Sequence, residues 1–361
     1  MFPTNKKIAV LHPYLFKKWG AVNMMIYLST FLLNNTNNDI IFYTFLYDKT
    51  IFPLKHKVIS FENSKLVSFF KIAYHIRNYD YIFIWNSPMH FVWVISKILF
   101  WSKAKIIWWH HHYPWYYGWN TNVFVKLKKI IEKFFLKYID STIVNSKYLQ
   151  DSIKDIYKID SKILYPVLDN QFLNYNSENK NKNQTSKLSK VIFTYGRRVF
   201  GKNIKLIFDT YENLKNEFRE LVLIIWWEWN ELNKYKNKYM DNKNIIFLWI
   251  IDKNQIIKNL EKSTLFLFPS KIDSFWLVIL ESMSIWVPVI SYNIAWAKEI
   301  IKNWINGYLV NSEKEFIDKS YQVLNNSAHR NNLSIESIKT ARKFSENNFK
   351  KSLSKIFNSI K

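Results

Sequence analysis

The sequence predicts an α/β protein of two doubly wound domains with a cleft between them. Three observations carry this. Short buried-strand runs alternate with helical patterns through the first half of the chain. A polar break interrupts the alternation, which then restarts. At 361 residues the chain is too long for one ordinary core, and it suits two domains of roughly 150–180 residues.

Ile8-Ala9-Val10-Leu11 opens the first half as a buried strand, followed by the loop Lys17-Lys18-Trp19-Gly20 and a helical stripe through Met24, Met25, Leu28, Phe31 and Leu32. Strand runs recur at 40–45, 81–84, 104–108 and 142–144. Residues 174–190, NYNSENKNKNQTSKLSK, read as a linker or long surface loop. Strand runs return at 191–195, 221–225, 245–248, 265–268 and 287–290, with a helix over 204–218. The expected domains are 1–173 and 191–330, joined by 174–190. A helical tail over 331–361 is expected to pack back on the first domain.

Composition narrows the function. Without cysteine there is no disulfide framework, thiolate metal site or cysteine nucleophile. The stretch 81–101 is interrupted by Asn86, Ser87, Pro88, His90, Ser96 and Lys97 and makes a poor membrane span. No signal peptide is read at the N-terminus, so the expected location is cytoplasmic. A net charge of +24 points to anionic partners, or only to abundant lysine. Lysines line the apolar stripe Val123–Phe135, which suits a helix packed on a sheet or lying on an anionic membrane.

Glycine and tryptophan counts are inverted. The chain holds 5 Gly and 16 Trp, where average usage gives about 25 Gly. Trp276 and Trp286 stand at a turn into a helix and at a helix end, both places that favour glycine. Trp226, Trp227 and Trp229 follow a strand run, and Trp304 precedes a turn signal. One reading covers all of them: UGA codons specify glycine, and the sequence writes them as tryptophan.

Three stretches carry candidate chemistry. Gly196-Arg197-Arg198-Val199-Phe200-Gly201-Lys202 follows the first strand of the second domain. Strand ends of doubly wound sheets face the ligand, so Arg197 and Lys202 can grip a diphosphate; the alternative is a basic surface loop. Asp273-Ser274-Phe275-Trp276-Leu277 leads into a helix that carries Glu281. Amides near Phe275, Trp276 and Leu277 can bind phosphate, Glu281 suits ribose hydroxyls, and Asp273 can reach a sugar hydroxyl. Taken singly, Asp273 or Ser274 is a helix cap and Glu281 a solvated residue. In Trp108-Trp109-His110-His111-His112-Tyr113-Pro114, successive histidines point to alternate faces, which argues against a metal site.

With glycine restored at the suspect tryptophans, the chain resembles glycosyltransferase family 4, retaining enzymes of the GT-B fold with two Rossmann-like domains. The likeness is strongest over 191–310. It implies that Asp273 and Glu281 are the family's paired acids, with seven residues between them and Asp in place of the usual Glu at the first. It implies that Gly196, Arg197 and Lys202 grip the diphosphate, and that His112, or His110, faces the donor sugar. Trp19-Gly20 then matches a loop near the donor phosphates and the acceptor. The expected substrates are a nucleotide-diphosphate sugar and a glycan or lipid-linked acceptor, in cell-envelope polysaccharide or glycolipid synthesis. No metal or other cofactor is expected, and any contact with an anionic membrane is expected to be peripheral. Two other readings stay open: a GT-B-like protein that has lost catalysis, and a basic nucleic-acid-binding protein. The latter needs basic and aromatic residues interleaved on one face. The tryptophans cluster at turns instead, so nucleic acid is not an expected partner.

Overall fold

Continuous runs of apolar residues buried on both faces are what parallel strands require, and they organise this molecule. The computed structural model describes residues 4–15, 20–48, 57–61, 65–85, 89–111, 130, 132–175, 190–196, 203–227, 232–249, 251–271, 277–294 and 296–360. The chain divides into two units, residues 1–166 with 349–361, and residues 167–348.

The first unit is built on β1 (Lys7–Leu11), β3 (Asp39–Thr44), β5 (Lys57–Ser60), β6 (Tyr81–Ile84), β7 (Lys105–His110), β8 (Ser141–Val144) and β9 (Lys162–Ile163). They form one parallel sheet in the order β5-β3-β1-β6-β7-β8-β9. A small parallel pair, β2 (Tyr14–Leu15) and β4 (Leu46–Tyr47), lies apart from it. Among the described residues its α-helices are α1 (Gly20–Asn35), α2 (Lys65–His75), α3 (His90–Leu99) and α4 (Lys147–Tyr157). Ser146 caps α4 by accepting from the amide of Leu149, and Lys158 closes it in the left-handed region.

The second unit holds β10 (Val191–Gly196), β11 (Val222–Trp227), β12 (Ile245–Phe247), β13 (Leu265–Phe268), β14 (Val289–Tyr292) and β15 (Gly307–Val310). All pair in parallel, in the order β12-β11-β10-β13-β14-β15. Around them run α5 (Asn170–Leu173), α6 (Ile204–Leu214), α7 (Leu232–Lys238), α8 (Lys253–Lys262), α9 (Leu277–Ser284), α10 (Ala297–Ile300), α11 (Glu313–Asn325) and α12 (Ser327–Ala341). Asp252 and Gln255 form a capping box at the start of α8. The last helix, α13 (Glu346–Asn358), begins in the second unit, and from Phe349 its residues belong to the first. There Phe349 meets Tyr27 edge-on at 5.3 Å, and Phe357 does the same with Tyr81 at 5.7 Å.

Six described non-glycine residues have a left-handed φ, and three of them are tryptophan: Trp101 (46°), Trp286 (61°) and Trp304 (70°). Trp286 ends α9 in a Schellman arrangement. The amide of Val287 donates to the Ser282 carbonyl at 3.1 Å, and that of Trp286 to Met283 at 3.2 Å. The indole N–H groups of Trp85, Trp93, Trp109 and Trp286 are buried with no hydrogen-bond partner among the described residues. One expectation needs correction. Trp226 and Trp227 do not follow a strand; they complete β11. Trp296, by contrast with Trp286 and Trp304, sits in right-handed backbone and is 2% exposed, so bulk is accommodated there.

Candidate functional site

In the second sheet the chain turns outward in both directions from β10. β11 and β12 lie to one side, and β13, β14 and β15 to the other. Adjacent carboxyl ends at such a reversal form the usual ligand crevice of a doubly wound sheet. Here those ends belong to β10 and β13. β10 is buried along its whole length and ends at Gly196, and β13 is fully buried and ends at Phe268.

α9 follows β13. Leu277 is its first residue and is half-buried; Ile279, Leu280, Ser282, Met283 and Ser284 are buried. Glu281 is half-buried, and its carboxylate accepts a hydrogen bond from the hydroxyl of Tyr195 at the end of β10. This bond joins the strand that ends at Gly196 to the helix that begins at Leu277. Burial, then the negative charge of Glu281, pushes the Tyr195 phenol far above its ordinary value. The hydroxyl therefore stays protonated and donates throughout the working pH range.

Of the expected site residues, Gly196 thus ends the strand, and Leu277 and Glu281 lie on the helix, that this bond joins. Gly20 opens α1 in the first unit. Trp19, His112, Arg197, Lys202, Asp273, Phe275 and Trp276 lie outside the described residues. Of the other histidines, His110 ends β7 and packs on Trp108 at 3.9 Å, while His111 stacks on Trp85 at 5.2 Å and Trp109 at 5.0 Å. The two rings thus keep different aromatic company, as alternation along a strand requires. Among the described residues no group of three His, Cys, Asp or Glu side chains can hold a metal ion. No described helix is long and apolar enough to cross a membrane. Most of the lysine-lined stripe lies outside the described residues; within it Ile130 and Phe134 are exposed, and Phe135 packs against Phe91 and Trp93.

Tyr195 was not among the residues expected from sequence. Its one signal is a polar aromatic where a buried parallel strand takes Val or Ile, directly before Gly-Arg.

Residues 176–340 match the model of the family described as glycosyl transferases group 1. This region is a glycosyltransferase domain. The chain is also similar, 28% identical over 113 residues, to a Klebsiella pneumoniae protein described as an uncharacterized 41.2 kDa protein in the cps region. That match spans 31% of this chain and 30% of the Klebsiella protein. Among solved structures, Anabaena Alr3699/HepE, crystallised with UDP and glucose, superposes with a TM-score of 0.78 at 15% identity, covering 98% of this chain and 100% of that one. A glycosyltransferase from Rickettsia africae gives 0.77 at 18% identity, covering 99% of each. The lipopolysaccharide outer core galactosyltransferase WaaB gives 0.72 at 16%, covering 98% of this chain and 99% of that one. At these identities the likeness shows the fold, which is the two-domain, Rossmann-like GT-B architecture.

Proposed function

We propose that this glycosyltransferase is a retaining, family 4 enzyme that moves a hexose from a nucleotide-diphosphate sugar to a glycan or lipid-linked acceptor. The observation that carries the proposal is the Tyr195–Glu281 hydrogen bond at the reversal of the second sheet. It sets the helix bearing Glu281 beside the strand end that precedes Arg197 and Lys202. The relatives solved with UDP, and with UDP-glucose, support a nucleotide-sugar donor.

In this reading Glu281 takes the ribose hydroxyls and Asp273 a sugar hydroxyl. Arg197, Lys202 and the amides around Phe275–Leu277 take the diphosphate. The bond between the anomeric carbon and the phosphate oxygen breaks, with its electron pair leaving on the diphosphate. The acceptor oxygen bonds the anomeric carbon, and its proton passes to the departing diphosphate oxygen. The two cations and the helix N-terminus stabilise the charge that develops on the leaving group, so no divalent metal is required. By family resemblance His112 hydrogen-bonds the donor sugar, and Trp19-Gly20 approaches the donor and acceptor. The site of action is the cytoplasm, at the inner face of the membrane, in cell-envelope polysaccharide or glycolipid synthesis.

The same reading takes tryptophan at 19, 276, 286 and 304 to stand for glycine, through UGA codons. The left-handed backbone at Trp286 and Trp304 supports this. UGG codons at those positions refute it. A polypeptide that truly carries Trp276 is the catalytically dead alternative, because an indole there crowds the phosphate site. Product analysis with and without acceptor tests the reaction. Sugar transfer that requires the acceptor supports it; phosphorolysis or epimerisation without acceptor contradicts it.

A further inference from the structure

Tyr195 is not among the residues given a role in the proposed reaction. It lies next to the end of β10, is 3% exposed, and is fixed by other aromatic side chains. Phe193 stacks on it at 5.1 Å, and Phe266 of β13 meets it edge-on at 5.3 Å. A ring held this way in the middle of a parallel sheet has little freedom. Its hydroxyl meets the carboxylate of Glu281, 86 positions away in sequence. A glutamate has three side-chain torsions, and freezing them opposes binding unless the protein does so beforehand. A rigid strand residue is well suited to that task.

We infer that Tyr195 is a positioning residue that aligns the Glu281 carboxylate for the ribose hydroxyls of the nucleotide, and so sets the preference for a ribonucleotide. The inference rests on the ribose role proposed for Glu281. Both groups belong to rigid elements, β10 and α9, and the bond spans the sheet reversal where a nucleotide is expected. The phenol stays protonated, so the carboxylate always has its donor. An ordinary buried tyrosine also needs a hydroxyl partner, but it has no effect on which sugar the nucleotide carries.

The test compares UDP with 2′,3′-dideoxy-UDP by calorimetry on the full chain, with GDP and its dideoxy counterpart in parallel. The chain carries Trp or Gly at 276, whichever form takes up nucleotide. A charged hydrogen bond to ribose predicts tenfold or more tighter binding of the ribonucleotide, about a factor of ten per 1.4 kcal/mol. Glu281→Gln should abolish most of that preference. Tyr195→Phe keeps the ring and its packing; it should weaken UDP about fivefold to tenfold, leave the dideoxy compound within twofold, and leave the unfolding temperature nearly unchanged. The double variant should match Glu281→Gln. If Tyr195→Phe keeps the full ribose preference while Glu281→Gln loses it, the positioning role is wrong and the ribose role of Glu281 stands. If Glu281→Gln also keeps the preference, both fall.

Discussion

The amide of Val287 donates to the carbonyl of Ser282 at 3.1 Å, and this bond wraps the end of a helix around a tryptophan. Trp286 inside the wrap has a φ of 61°. A side chain in this conformation costs roughly 1–2 kcal/mol, which glycine avoids. Trp304, at 70°, and Trp101, at 46°, show the same conflict between residue type and backbone.

Trp101 isolates the effect, because it is 83% exposed and little packing is lost on removing its ring. Trp101→Gly should raise stability by about 0.5–1 kcal/mol, since strain relief exceeds the entropy glycine restores to the unfolded chain. Trp101→Ala keeps the strain and should give no such gain. Urea unfolding of the pair measures the difference.

Gly307 is a glycine that the sheet does require. A β-carbon there would lie 2.6 Å from the backbone oxygen of Val289 and 3.3 Å from Cγ2 of Ile301. Backbone cannot give way as a flexible side chain does. Gly307→Ala should therefore destabilise the second unit by about 1–3 kcal/mol, read as a lower denaturation midpoint.

Asp80 ties the starts of β1 and β6 together. It accepts from the Lys7 amide at 2.9 Å and from the Lys6 ammonium at 3.0 Å. Burial pushes its carboxyl up, but the Lys7 amide and Lys6 together outweigh this, and the net shift is downward. A carboxyl lowered in the folded state stabilises above its unfolded value, about 3.9. That contribution is lost as the pH falls through the folded value. Acid unfolding followed by circular dichroism should show a shallower loss of stability below about pH 4 in Asp80→Asn than in the parent.

Removing charge at the proposed diphosphate grip should act on turnover, not on folding. Arg197→Ala and Lys202→Ala should each lower kcat/KM for the donor by about 10²–10³. Thermal unfolding should be unchanged. Steady-state kinetics with a purified nucleotide sugar make the comparison.

Much of the fold is legible in sequence, for a definite reason. Strands such as Leu265–Phe268, buried on both sides, are unbroken apolar runs. Where that signal fails, a local feature overrides it. Asn306-Gly307 reads as a turn, yet β15 starts on that very glycine, because close approach to Val289 demands it. Val287 reads as strand, but its amide closes the preceding helix. β5 is short and only partly buried, so Lys57–Ser60 lacks the pattern of an inner strand. In the site, Glu281 is singled out only by the family resemblance, as the partner of Asp273; taken alone it reads as a solvated helix residue. Tyr195 is not legible, because its partner is 86 positions away and only the sheet order brings them together.

The central claim is that the ends of β10 and β13 seat a nucleotide diphosphate, with a residue lacking a side chain needed at 276. Calorimetric titration of UDP-glucose and GDP-mannose into the full chain, as the Trp276 form and as the Trp276→Gly variant, tests it most directly. The expected result is saturable uptake of one donor by the Trp276→Gly variant and weaker or no uptake by the Trp276 form. Absence of binding in the Trp276→Gly variant, with the protein folded, would contradict the account.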